Sequence, residues 1–507
     1  MGFVTWLKAL MGHQEGYDPT QAVQGKNETI LFLINPEYGS SSVHLATIQT
    51  ILERYPNIQI HVASHPAAEE RVRRLPLTQG NKEVQFHELP GRQYGTAISE
   101  GMGNFRKTAA HLLHPPGRRG ADHFLTCIQV TSLPWSAEEH LAIFQKMLEI
   151  IKDVDPAVVV LDLSLRPGVD AARRMNRRHA FIAPNPLSDV FFAKQPAGKM
   201  FWKYPRMGTD FSFPVPWKDI PENIWLTVRL IYSAVRMSDM RAKIKFLRDN
   251  GALSSPGLHS PNVLWISQDM APHAGIPLDY TPKGVISAGP IVLHSRPAIE
   301  QDYDLVQWLQ RSPTVLINLG SHFRYSGERI LIMAKAIGTF LKQVDMQVLW
   351  KLGPESPEDL NPATLSPIQR YIDNDTLRHV DWISVDTLSL LETGHVTGLV
   401  HHGGANSYYE AIFAGVPQVI IPMWFDLYNF AQLAEDVGVG VYATRGTAPQ
   451  WTAKSLSDAF LRALDGRRES AVRLKETARA IGVLARENPG RHVAAREVVK
   501  LAQSEAS

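Results

Sequence analysis

The sequence predicts an α/β protein made of two doubly wound halves, and three observations carry that prediction. Short continuous apolar runs recur at Thr29–Asn35 (TILFLIN), Ala157–Leu163 (AVVVLDL), Thr314–Leu319 (TVLINL) and Val396–Val400, the pattern of strands buried on both faces. The first, third and fourth of these run into loops containing Gly or Ser and then into helical periodicity, the order of a parallel sheet with crossover helices. A chain of 507 residues is also too long for one ordinary core, and the pattern restarts after Ser287-Ala288-Gly289-Pro290, read as a linker.

Residues 1–28 read as an N-terminal extension, whose apolar residues are interrupted by Lys8 with no clean cleavage site after them, so no signal peptide is expected. The first half is expected over 29–285. Its strand at Thr29–Asn35, loop through Ser42, helix Val43–Arg54 and strand Ile58–Ser64 form the opening turn of a doubly wound sheet. Val84–Leu89 is a weaker strand, and 91–119, rich in Gly, His and Arg, suggests loops and a helix around a cleft. Ser136 caps a helix over Ala137–Asp153. Ala157–Leu163 and Ala180–Ala183 continue the sheet. The aromatic, proline-rich stretch after 185 is either a pocket wall for an apolar ligand or a packed insert, and it ends in a helical pattern over 221–249. The second half is expected over 286–480, with strand Thr314–Leu319, helix Gly327–Val344, strand Gln347–Leu352 and a further strand or loop near His379–Ile383. Residues 481–507 read as a C-terminal helix, with a return to the first half as one option for it.

Composition narrows the function classes. Lys plus Arg of 52 against Asp plus Glu of 50, with no long basic tract, gives no reason to expect a nucleic-acid partner. Cys127 is the single cysteine, which rules out an intrachain disulfide and a thiolate cluster and fits a reducing cytoplasm. No apolar run is long enough to span a bilayer. Ile224–Met237, carrying Arg229 and Arg236, reads as an amphipathic helix that packs on the core or lines an entrance for a greasy acceptor, with peripheral membrane contact as the lesser reading. A monomer is expected.

The chemistry concentrates in Leu399–Gly440. The strand ending at Val400 breaks into His401-His402-Gly403-Gly404, where two glycines let a ligand approach the backbone. Asn406 and Ser407 are N-cap types for a helix that stops at Gly415, and Val419–Pro422 is a second buried strand. A strand, a glycine turn and a helix start beside imidazole make an anion site, with phosphate the expected anion. It lies at the carboxyl end of a strand, where open α/β sheets bind ligands. Glu410, one helical turn on, can accept from sugar hydroxyls. Taken alone, the turn is equally a structural βα connection with a core histidine.

The residue order narrows this. His402, Gly404, Asn406, Ser407, Glu410, Gly415-Val416-Pro417, Pro422, Asp426 and Asn429 resemble, in that order, the donor-binding signature of the family 1 UDP-dependent glycosyltransferases. The resemblance implies the GT-B layout, two Rossmann-like domains facing a cleft. It implies inverting, metal-independent transfer of a sugar, glucose by expectation, from a UDP-sugar to the hydroxyl of a small lipophilic or phenolic acceptor, with no cofactor. It also implies that His402, Asn406 and Ser407 meet the α-phosphate across the Gly404 turn and that Gly320-Ser321 meets the β-phosphate. Glu410 would hold the ribose, Trp382 would stack on uracil and Asp426 would accept from the sugar. No DxD-type acidic pair stands where it could hold a metal ion.

The chain departs from the signature in three places. Trp382-Ile383-Ser384-Val385 lacks the Pro and Gln that relatives carry, and Leu427 follows Asp426 where relatives have Gln. The first loop reads Gly39-Ser40 where relatives have Gly-His. Asp162 matches the aspartate that orients that histidine. The base is then either a histidine from elsewhere acting with Asp162, from among His44, His111, His114 and His123, or Glu37, a carboxylate whose pKa an apolar cleft would raise. Structural alternatives are a partly buried surface histidine for His44 and a helix cap or salt bridge for Asp162. Two rival functions stay open: a UDP-sugar epimerase or hydrolase of the same fold, and a nucleotide-sugar-binding protein impaired in catalysis.

Overall fold

The computed structural model describes residues 21–76, 83–102, 112–236, 238–252, 263–321 and 323–504. The candidate base His111 lies outside them, as does most of the N-terminal extension.

The first half is a seven-stranded parallel sheet with the order β3-β2-β1-β4-β5-β6-β7. Its strands are β1 (Lys26–Leu33), β2 (Gln59–Ser64), β3 (Gln85–Glu88), β4 (Pro156–Asp162), β5 (His179–Ala183), β6 (Leu264–Ser267) and β7 (Val285–Ser287). The second half repeats the plan with six strands in the order β10-β9-β8-β11-β12-β13. These are β8 (Thr314–Asn318), β9 (Gln347–Lys351), β10 (Leu377–Val380), β11 (Val396–His401), β12 (Gln418–Ile420) and β13 (Gly440–Tyr442). The helices that frame the site are α1 (Tyr38–Arg54), α2 (Ala137–Val154), α3 (Ile220–Arg236), α4 (Ala405–Ala414), α5 (Leu427–Val437), α6 (Glu469–Glu487) and α7 (Gly490–Gln503).

β1 shows why an apolar run becomes a central strand. Successive side chains point to opposite faces. Ile30 and Phe32 pack with Val43 and Ile48 of α1, while Leu31 and Leu33 pack with Ile143, Phe144 and Met147 of α2. Both faces are covered, so every position must be apolar. α2 starts where the sequence places it: Ser136 Oγ accepts from the Glu139 N–H and the Glu139 carboxylate accepts from the Ser136 N–H.

The halves are tied by two chain crossings. β7 pairs with β6 through Ser287, so the first sheet runs past 285 and the forward crossing follows it. α6 is one helix across 481, and the return crossing lies at Asn488-Pro489. α7 then packs on α1, adding Val493, Ala494, Val498 and Ala502 to the core around Ile30 and Phe32. Residues 224–236 of the expected amphipathic segment lie in α3, with Leu226 turned inward and Ile224, Val228 and Tyr232 exposed; Met237 lies outside the described residues. Among the described residues no helix is long and apolar enough to cross a membrane.

In each sheet the strand order reverses once, between β1 and β4 and between β8 and β11. Loops leaving a sheet on either side of such a reversal part in opposite directions and open a crevice at the carboxyl edge. The loops at these two reversals carry Glu37, Gly320, Ser321, His402 and Gly404, and α4, which follows one of them, carries Asn406, Ser407 and Glu410.

Candidate active site

On the C-terminal half, β8 leads into Asn318, Gly320 and Ser321, and β11 into His401, His402 and Gly404. A Cβ at Gly320 would lie 2.8 Å from His402 Cε1, and one at Gly404 would lie 2.6 Å from His402 Nε2. The half-buried imidazole therefore sits between two bare backbones, a place only glycine leaves open. The neighbouring histidine does a different job. His401 is fully buried, its Nδ1 accepts from the Gly403 N–H at 3.1 Å, and its Nε2 donates to Gln418 Oε1 at 2.8 Å. Burial pushes its pKa down to about 4, so it is a neutral strut of the turn.

α4 begins at Ala405 with Gly404 as its N-cap and no side-chain cap. Asn406 and Ser407 thus lie within the first turn rather than at the cap, because the glycine turn itself delivers the extended cap residue. The first-turn N–H groups and the positive end of the helix dipole are left for an anion. Asn406 spends its side chain elsewhere: Nδ2 donates to Tyr38 O at 3.0 Å and Gly39 O at 3.2 Å, and Oδ1 accepts from Gln268 Nε2 at 3.1 Å. All three partners belong to the N-terminal half.

Beside Gly320 and Ser321 opens a pocket with about 250 Å³ of empty space, walled by Lys351, Asp381 and Trp382. Trp382 is 50% exposed, and the Lys351 ammonium lies 3.7 Å from its ring centroid while donating to Gly320 O at 3.1 Å. Burial, helped by Arg324, pushes the Lys351 pKa down to about 8. Lys351 was not among the expected site residues, although its position at the carboxyl end of β9 is the edge where this fold binds ligands. Glu410 is partly buried on α4, and burial, with Asp386 adding repulsion, raises its pKa to about 8. Asp426 Oδ2 accepts from Asn185 Nδ2 at 2.8 Å, and burial pushes the Asp426 pKa up to about 6.

On the N-terminal half, Asp162 is 1% exposed; it accepts from the Asn35 N–H at 3.1 Å through Oδ2 and from the Ser164 N–H at 2.8 Å through Oδ1. It is a tie between the two loops of the β1/β4 reversal, not a helix cap or a salt bridge. Glu37 stands two residues past Asn35 on the first of these loops. Its Oε1 accepts from the Gly95 N–H at 2.6 Å, and its Oε2 is buried with no hydrogen bond. Burial, and to a lesser degree Asp162, lifts its pKa above the usual glutamate range.

The histidine candidates fare differently. His44 is fully buried, edge-on to Phe32 with ring centroids 6.3 Å apart, and neither ring nitrogen makes a hydrogen bond. Burial pushes it down to about 4, against the pull of Asp162. It is a core side chain on the inner face of α1, neither a surface histidine nor a base open to the cleft. His114 accepts from the Phe425 N–H at Nε2 (3.0 Å), a contact between the halves, and donates from Nδ1 to Pro115 O (2.9 Å) within its own loop, so both nitrogens are occupied. The His123 ring lies tilted beside it, with ring centroids 6.0 Å apart.

Residues 364–486 match the family described as Erythromycin biosynthesis protein CIII-like, C-terminal domain. Over 443 residues the chain is 32% identical to glycosyltransferase sdnJ of Sordaria araneosa, spanning 83% of this chain and 85% of that one. The chain belongs to the family 1 UDP-dependent glycosyltransferases. This glycosyltransferase is also 35% identical over 147 residues to NDP-glycosyltransferase YjiC of Bacillus subtilis (strain 168), covering 29% of this chain and 32% of that one. A UDP-glucosyltransferase from Polygonum tinctorium capable of glucosylating indoxyl, solved in complex with 3,4-dichloroaniline, superposes with a TM-score of 0.61 at 14% identity, over 94% of this chain and 99% of that one. A Phytolacca americana enzyme, UGT2, superposes with a TM-score of 0.58 at 15% identity, over 95% and 100% of the two chains. These structures establish the GT-B fold.

Proposed function

We propose that this glycosyltransferase transfers glucose from UDP-glucose, with inversion and without a metal or cofactor, to the hydroxyl of a small lipophilic or phenolic acceptor, and that Glu37 is the base. The observation that carries the reading is the docking of Asn406 onto Tyr38 and Gly39. It brings the start of α4 against the loop that holds Glu37, so anion site and carboxylate share one crevice.

In this reading the diphosphate rests against His402, the first-turn amides at Ala405, Asn406 and Ser407, and the Gly320-Ser321 turn. Uracil lies on Trp382, and Glu410 and Asp426 accept from ribose and sugar hydroxyls. Glu37 Oε2 takes the proton of the acceptor hydroxyl. The acceptor oxygen attacks the anomeric carbon from the face opposite the leaving group and the anomeric carbon–phosphate oxygen bond breaks, which inverts that centre. UDP departs with the bonding electrons, its charge stabilised by imidazole and helix amides. Asp162 keeps the Asn35 and Ser164 loops in place and takes no proton.

Two further findings support the substrate classes. A second pocket, lined by Phe124, Leu125, Leu226 and Leu230 with Arg206 and Arg229 among its walls, opens between the helix Ala121–Ser132 and α3, and its mainly apolar lining suits a lipophilic acceptor. The Phytolacca enzyme was solved with UDP-2fluoro-glucose and pterostilbene, a donor and acceptor of the proposed kinds. The test is incubation with UDP-glucose and a panel of phenols and lipophilic alcohols, read by mass spectrometry. Hexose adducts that disappear in Glu37→Gln support the reading, and UDP binding with no adduct from any acceptor overturns it.

A further inference from the structure

Where the donor's sugar would lie, polar groups cross between the halves. Asn185, two residues past β5, is bound to Asp426 at 2.8 Å. Asp189 follows on the short helix Leu187–Phe191, and its Oδ2 is buried without a hydrogen bond. The Asn185 amide and the charges of Asp426, Arg206 and Asp269 all act on the Asp189 carboxyl. Arg206 stacks on Phe192 at 5.0 Å, and its Nε is likewise buried without a hydrogen bond. Across the cleft, Leu427 is 3% exposed and packed into the core, so the start of α5 offers the sugar one polar side chain, Asp426. One wall offers the sugar a single acceptor, and the opposite wall carries a buried carboxyl oxygen, Asp189 Oδ2, with no hydrogen bond.

We propose that Asp189, from the N-terminal half, is the second sugar-recognition residue of the donor site, and that with Asp426 it selects UDP-sugars whose hexose is uncharged over UDP-uronates. The proposal rests on the donor site described above. A buried carboxylate oxygen without a donor is costly, and a sugar hydroxyl is a donor that arrives with the ligand. A uronate brings a third kind of group, an anion, into a cluster where Asp189, Asp269 and Asp426 are set against the guanidinium of Arg206. A like charge brought into such a cluster rejects the wrong ligand more strongly than a lost contact would. Burial and mutual repulsion raise Asp189 to about 7, and burial raises Asp426 to about 6, as expected of carboxylates crowded into one site. Because the two residues sit on different halves, the sugar is fully recognised only with the halves docked.

The test is titration calorimetry of the full chain with UDP, UDP-glucose and UDP-glucuronate, for the parent, Asp189→Asn and Asp189→Ala. The parent is expected to bind UDP-glucose at least tenfold more tightly than UDP-glucuronate. Both variants should bind UDP within twofold of the parent, and this shared affinity reports an intact fold. UDP-glucose should weaken severalfold in both, and in Asp189→Asn the preference over UDP-glucuronate should shrink to about threefold or less. A parent indifferent to the uronate, variants with the parent's preference, or variants that lose UDP itself would each overturn the proposal. A parent that binds no UDP would instead overturn the donor site on which it rests.

Discussion

The side-chain amide of Asn406, on the first turn of α4, donates to the backbone carbonyl of Tyr38, at the start of α1, across a distance of 3.0 Å. This bond joins the two strand-order reversals of the molecule and sets the spacing between the anion site and Glu37. Asn406→Ala removes it together with the Gly39 and Gln268 contacts. A net loss of about 1–3 kcal/mol in the docking of the halves is expected. Steady-state kinetics should show kcat/KM for the donor falling at least tenfold, while the α4 amides keep most of the UDP affinity.

Glu37→Gln should lower kcat by about two to four orders of magnitude, the range for loss of a general base, with UDP affinity retained. In the parent, kcat/KM should rise with pH through a value above the usual glutamate range, because the base acts ionised. Stability runs the opposite way. A carboxyl whose pKa is raised on folding contributes fully below its unfolded value near ~4.3 and loses that contribution as pH climbs through the folded value. Glu37→Gln should therefore melt higher than the parent at neutral pH and no higher at pH ~4, which thermal denaturation at the two pH values checks.

His402→Ala should cost about 2 kcal/mol of UDP binding, or roughly 30-fold in Kd, through loss of a charge-assisted contact. Gly404→Ala tests the seat rather than the group. The added Cβ meets His402 Nε2 at 2.6 Å, so the ring must shift, and titration calorimetry should show UDP weakening comparably with the imidazole still present.

Lys351 offers a pH signature. With its pKa pushed down to about 8, the ammonium should lose its proton between pH ~7 and ~9, and an anionic nucleotide should bind less tightly across that window. Lys351→Met should bind UDP more weakly at pH ~7 and show a flatter profile, read by calorimetry at each pH.

The sequence made the donor side legible because its residues are local. The turn at His402-Gly403-Gly404 and the helix Ala405–Ala414, stopped by Gly415, form one strand-turn-helix unit, and such units keep their spacing whatever surrounds them. Strands such as β1 and β4 were equally plain, since burial on both faces leaves a solid apolar run. The opposite wall was not legible. Asn185, Asp189 and Gln268 meet the signature residues only through docking of two halves, and no short-range spacing records that. His44 misled because an imidazole on the inner face of α1 has the same periodicity whether it lines a cleft or fills a core. Lys351 could have been found from its place at the end of a strand, next to the expected tryptophan platform.

The return of α7 onto α1 makes the molecule a door hung on two pins. With the chain passing between the halves twice, within 288–297 and at 488–489, neither half can turn about one tether without carrying the second with it. Cutting the chain after Glu487 would remove one pin and strip Val493 and Val498 from over Ile30 and Phe32, loosening the core of the first half while leaving the strands of the second in place.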